Sequence, residues 1–126
     1  MADSSVTLHS SSFVLAVPNL KTSASYFRDA LGFSLAWPED LGWQLASRGS
    51  IRIMLGHSPK GVTPAEIGDH NYFGYFNVNN VDALYEEYLS SGAIILQSPE
   101  DKPHGMREFT VATPDGHRMM FGQEIA

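Results

Sequence analysis

Five histidines and a strand-borne glutamate are the side chains of this sequence best suited to hold a metal or move a proton. His9 lies in a polar start, His57 and His70 bound an irregular stretch, and His104 and His117 stand at loop or turn edges. No two of them have the two- or four-residue spacing that sets a ligand pair on one face of a strand or helix. The pattern predicts solvated histidines; His57, His70 and His104 can converge only as rim residues on loops. Without cysteine there is no thiolate metal site, no disulfide and no cysteine nucleophile. Ser12 lacks both a paired histidine and a nucleophile-elbow context. Glu108 is expected as a solvated or arginine-paired carboxylate, with Arg118 and Arg52 as partners.

The element that must position Glu108 is a hairpin, His104 to Phe121. Pro114, Asp115 and Gly116 form its loop, proline at the first corner and glycine in the left-handed position, so Thr113 opposes His117. Pairing outward from there puts Phe109, Val111, Met119 and Phe121 on one face. Glu108, Thr110, Arg118 and Met120 fall on the other, so the sheet has a packed side and a working side.

Upstream, strands are expected at Phe13–Val17, Phe33–Trp37, Trp43–Ser47, Ile51–Leu55, Tyr72–Val78 and Ala93–Leu96. Helices are expected at Thr22–Leu31, ended by Gly32, and at Asn80–Ser91, ended by Gly92. HSPKGVTPAEIGDH, residues 57 to 70, is too long and broken for a turn and is taken as a linker. The two halves then repeat one order, strand, helix and three strands, at an offset of about sixty residues. Val17 matches Val78 and Asn19 matches Asn80, which points to a duplication.

The chain has 126 residues, 43% of them hydrophobic, which suits a single compact domain over residues 1–126. No run approaches the roughly 18 apolar residues of a membrane span, and MADSSVTLHSSS lacks the regions of a secretory signal. A cytoplasmic protein that binds no membrane is expected. A net charge of −6, from 14 acidic and 8 basic side chains, argues against nucleic acid.

VPNLKTSASYFRDALGF, FNVNNVDALYEEYLSSGA and GMREFTVATPDGHRMMF together resemble the vicinal oxygen chelate superfamily, which includes glyoxalase I, extradiol dioxygenases and bleomycin resistance proteins. The resemblance spans residues 12 to 124. The last segment looks most like the bleomycin resistance branch, where a G-x-E-F strand precedes a D-P-x-G turn; Thr113 replaces the aspartate here and Met106 is additional. It implies an α+β fold of two βαβββ modules forming a curved mixed sheet with helices on its convex face. Module one would cover about 12–56, the linker about 57–70 and module two about 71–124.

In the superfamily's metalloenzymes each module supplies two metal ligands from the concave face. By resemblance those four positions are Ser12, Met54, Phe73 and Met120, and none carries an imidazole or carboxylate donor. No metal and no other cofactor is therefore expected, and no catalytic residue is assigned. Strand parity adds Val14 and Ala16 beside Ser12, Arg52 beside Met54, and Tyr75 and Asn77 beside Phe73. With Glu108, Thr110 and Arg118 from the hairpin, and Trp37 and Trp43 at the rim, they make an apolar, aromatic pocket for a small molecule. The implied protein is a metal-free binder of an aromatic or cationic antibiotic, and a homodimer whose chains close two cavities. The alternative is a lyase or dioxygenase-like enzyme of the same superfamily, its metal held at other positions such as His57, His70, His104 or Glu108.

Overall fold

Alternating apolar residues build the strands, and asparagines start both helices. The computed structural model describes residues 6, 8–60, 66 and 72–125. The first module runs β1 (Phe13–Val17), α1 (Leu20–Asp29), β2 (Ser34–Leu35), β3 (Trp43–Arg48) and β4 (Ile51–His57). The second runs β5 (Tyr72–Asn77), α2 (Val81–Ser91), β6 (Ile94–Asp101), β7 (Met106–Ala112) and β8 (Arg118–Glu124). Each module forms a four-stranded mixed sheet, in the orders β1-β4-β3-β2 and β5-β8-β7-β6. The duplicated topology is therefore real: β1 pairs β4 in parallel as β5 pairs β8. Of the linker, residues 61–65 and 67–70, His70 included, lie outside the described residues.

The Asn19 and Asn80 side chains accept hydrogen bonds from the Thr22 and Ala83 N–H groups, both at 3.0 Å. A cap of this kind contributes about 1 kcal/mol. The caps shift α1 from its expected span of 22–31, because Asn19 starts it two residues earlier and Ala30 closes it. Gly32 (φ 78°) comes later in the exit turn, where its missing Cβ lets the Arg48 guanidinium lie against the chain. In α2 both expected ends hold, with Gly92 left-handed after Ser91.

The terminal hairpin pairs Phe109 with Phe121 and Thr110 with Met120, as its loop chemistry demands. Thr113 donates its N–H to the His117 carbonyl at 2.9 Å, and Gly116 sits at φ 91°. Three strands depart from expectation by two residues or more, β4 among them, which runs on past Leu55 to His57. β6 runs on to Asp101 instead of stopping at Leu96, because it is the sheet edge, where Pro99 and two register shifts are tolerated. β2 keeps only two paired residues.

One core serves both sheets. Phe27, Leu31, Ile53 and Leu55 from the first module and Tyr88, Phe109, Met119 and Phe121 from the second are nearly inaccessible. Each contributes on the order of 1.5–3 kcal/mol by burial. Aromatic contacts cross the junction, Phe13 meeting Phe73 and Phe76 edge-on at 5.9 and 5.5 Å. Polar contacts cross too. The Tyr26 hydroxyl donates to the Ala112 carbonyl (2.6 Å) and accepts from the Ile94 N–H (2.9 Å), while Tyr88 donates to the Leu31 carbonyl (3.0 Å).

His117 is buried in this junction. Its Nδ1 lies 2.9 Å from the Thr113 hydroxyl, which also accepts the His117 N–H at 3.1 Å. The ring also hydrogen-bonds the Ala16 backbone in β1, and burial holds its pKa below the ordinary 6.5 despite Asp115 nearby. A folded-state pKa below the unfolded one means the unfolded chain binds the proton first as pH falls. Stability should thus be constant in this respect above pH 6.5, and decline below it until the folded-state value is passed. Urea unfolding between about pH 5 and 7.5 checks this, since these values bracket the ordinary histidine range. His117→Ala should flatten that slope and cost about 1–3 kcal/mol, through the partners it orphans.

Candidate functional site

The residues of β7 and β8 that turn away from the core form the outer face of the second sheet. Glu108 is the charged group of that face that is most buried, 5% exposed. Tyr75 from β5 donates its hydroxyl to Glu108 Oε2 at 2.7 Å, and His104 Nε2 lies 2.9 Å from the same oxygen. Neither hydrogen bond uses Oε1. The expected partners Arg118 and Arg52 are not the ones that bind it. Arg118 lies at the far end of β8 with its guanidinium 5.9 Å from the Tyr72 ring centre, and Arg52 Nε points to Ser12 Oγ at 3.4 Å in the other module.

His104 reaches Glu108 because the chain doubles back over Lys102–Gly105, where Gly105 donates to the Lys102 carbonyl and adopts φ 87°. Its side chain remains 60% exposed. Burial by itself would raise the Glu108 carboxyl, but hydrogen bonds from Tyr75 and His104, with the charges of His104 and Lys102, outweigh it. The carboxyl is held below its usual range and is ionised at neutral pH. Desolvation of the hydroxyl, then the hydrogen bond to Glu108 and its charge, push the Tyr75 phenol up to about 12. Tyr75 is 41% exposed as a residue, so the ring faces outward while its hydroxyl is tucked down.

Gly122 makes that posture possible. A methyl group there would overlap the Tyr75 hydroxyl outright. Gly56 has the same place in the first module, where Trp43 lies across it and a Cβ would come within 2.8 Å of the indole. Each module thus presents an aromatic ring laid over a glycine of its inner strand.

The residues proposed from sequence are divided between two sheets. Trp43, Arg52 and Met54 lie on the outer face of the first, with Trp37 in the adjoining loop, where Gln44 bonds both its N–H and its carbonyl. Tyr75, Glu108, Thr110, Arg118 and Met120 lie on the outer face of the second. Thr110 is almost wholly buried there, so Tyr75 and Met120 form the accessible part of that face. Phe73 does not share their face. The ladder advances from Tyr72–Arg118 directly to Gly74–Met119, and this bulge turns the Phe73 ring onto Phe13, Phe76 and His117. Tyr72 takes the outward place beside Arg118. Tyr72, Tyr75 and Met120, with the edge of Phe73, border a shallow depression of about 410 Å³.

The four positions that would bind a metal offer a hydroxyl, two thioethers and a phenyl ring. That donor set does not fit a divalent ion, which needs imidazole or carboxylate groups. Among the described residues no three His, Cys, Asp or Glu side chains gather as an alternative. His57 ends β4 at the surface and stands in the other module from His104.

The family model for the Glyoxalase/Bleomycin resistance protein/Dioxygenase superfamily matches residues 9–121. The chain belongs to this superfamily. Among curated relatives, Rv0887c of Mycobacterium tuberculosis is 33% identical over 66 residues, 52% of this chain and 39% of that protein. Mb0911c of Mycobacterium bovis matches equally, over 43% of its length. The chain thus spans less than half the length of these relatives. Among solved structures, TioX from Micromonospora sp. ML1 superposes with a TM-score of 0.70 at 21% identity, covering 94% of this chain and 98% of TioX. A superfamily member from Alicyclobacillus acidocaldarius gives 0.79 at 12% identity, over 94% and 92%. Lactoylglutathione lyase from Agrobacterium tumefaciens gives 0.67 at 15%, over 89% and 90%. At these identities the structures speak for the glyoxalase-type fold alone.

His104, expected at most as a rim residue or an alternative metal position, contacts Glu108 directly, and Tyr72 joins the outer face without having been expected there. The four-residue interval from His104 to Glu108 across Gly105 was the available signal for the first; no residue type announces the bulge. Gly122→Ala should lift Tyr75 off Glu108 and bring its phenol pKa from about 12 back toward 10.0. A pH titration of ring-labelled tyrosines by NMR checks this, and an unmoved Tyr75 signal would contradict the packing role of Gly122.

Proposed function

We propose that this superfamily member is a metal-independent binding protein that sequesters a small aromatic or partly cationic molecule of antibiotic type. The observation that carries the reading is the pairing of an ionised, buried Glu108 with outward-facing aromatic rings, beside Met120, a position that by resemblance would hold a metal ligand. A flat ring can stack on Tyr75 beside the soft Met120 sulfur, while a cationic group approaches Glu108. His104 and Tyr75 already orient the carboxylate, so little ordering remains to be done when a ligand arrives. No bond is made or broken; capture is by mass action.

The same reading includes a homodimer. Val14, Trp43, Tyr72 and Tyr75 are large apolar side chains exposed on the outer faces, more than a lone chain usually leaves to water. A second copy that set one sheet's outer face against the other's would cover them and close two equivalent cavities. Sedimentation should give twice the chain mass of 13.8 kDa, and a monomer at micromolar concentration would contradict this part.

The second reading is an enzyme of this superfamily with a metal at non-standard positions, and the His104–Glu108 contact of 2.9 Å is what favours it. Elemental analysis separates the two, since one equivalent of tightly held metal would support the enzyme. Calorimetry against planar cationic antibiotics tests the preferred reading. We expect a saturable binder whose affinity falls roughly 10- to 100-fold in Glu108→Gln, the loss of one charge-assisted contact. Failure of every compound class to bind would count against it.

A further inference from the structure

The duplicated modules create two seams that ought to match. In one, the β7–β8 turn meets β1 and α1. In the other, the β3–β4 turn meets β5 and α2. Strand register equates Gly56 with Gly122 and hence Ala16 with Asn77, Arg48 with Thr113, and Ile51 with His117. Counting from the two capping asparagines equates Ser23 with Leu84 and Tyr26 with Glu87.

The first seam is filled by the protein itself. The His117 ring is wedged there against Ala16, and Asp115 accepts a hydrogen bond from Ser23 at 3.1 Å. The second seam has a shorter turn, Gly49–Ser50 in place of Pro114–Asp115–Gly116, and an isoleucine in place of the imidazole. A cleft of about 510 Å³ remains where the wedge would be. Its apolar floor is the partly buried Ile51, Val78 and Leu84, which lie against the core residues Phe33, Tyr88 and Phe121. Asn79, just past the end of β5, is exposed at the rim. Arg48 closes one wall but is already paired with Glu87 through contacts of 2.6 and 2.9 Å, so the cleft offers no net charge.

We propose that this inter-module cleft is a second ligand site, separate from the outer face, for a neutral planar heteroaromatic ring bearing an N–H donor. Such a ring takes the place that the His117 imidazole occupies in the twin seam. The apolar floor receives its faces, Asn79 at the rim meets its polar edge, and the paired Arg48–Glu87 wall disfavours a formal charge on it. The volume lies within the range of roughly 300–1,000 Å³ typical of small-molecule sites.

Benzimidazole is a suitable probe, titrated above neutral pH into the labelled protein and followed by amide NMR. The expected result is saturable shifts confined to Asn79, Ala83 and Leu84. Ala83→Trp, at an exposed helix position that leaves the core intact, should plug the cleft and weaken binding by roughly tenfold or more. Shifts that saturate instead at Tyr75 and Gly122 would place the ring on the outer face and overturn this site while leaving the proposed function standing. No saturable shift anywhere at millimolar probe, or an affinity unchanged in Ala83→Trp, would also overturn it.

Discussion

Tyr26 and Tyr88 each grow from the helix of one module and deliver a hydroxyl to the backbone of the other. Those bonds mark the constraint on which the rest of the structure depends. Neither four-stranded sheet can bury its own apolar face, since a sheet and one helix of ten or eleven residues enclose too little. The two sheets therefore pool their inner faces into one core. The Phe13–Phe76 and Phe109–Phe121 ring contacts, at 5.5 and 5.4 Å, run through it without a break between modules.

Pooling the inner faces leaves both outer faces free for other work. On the second sheet that freedom is used to hold a carboxylate in a defined state. Taking Glu108 out of water costs several kcal/mol unless donors replace the solvent. Tyr75 and His104 supply them, and the absence of a side chain at Gly122 gives the phenol room to reach in. The outcome is a fixed negative group beside an outward-facing ring, which is suited to recognition. Nearby surface ion pairs such as Arg107–Asp82 are exposed and contribute little by comparison.

Local chemistry was legible in the sequence wherever it acts alone. Pro114–Asp115–Gly116 dictates a three-residue loop, which fixes the hairpin register and so the face of Glu108. Gly92 likewise ends its helix by its own conformational freedom. What escaped was decided by partners distant in the chain. Asn19 rather than the later apolar spacing sets the start of α1. The Phe73 bulge depends on Phe13, sixty residues away, offering a ring to pack against. His104 reads as a solvated loop residue until Gly105 folds it over the strand. The Arg118 and Arg52 pairings expected for Glu108 failed for the same reason, since charge alone does not say which strand end a side chain occupies.

We propose that the outer face around Glu108 holds an organic ligand and not a metal. The most direct measurement is a crystal structure of the protein as isolated from its producing cells, with no ligand added. The expected result is density for a flat organic molecule lying on Tyr75 and Met120 with a polar group at Glu108. A metal ion coordinated by His104 and Glu108 in that density would contradict it.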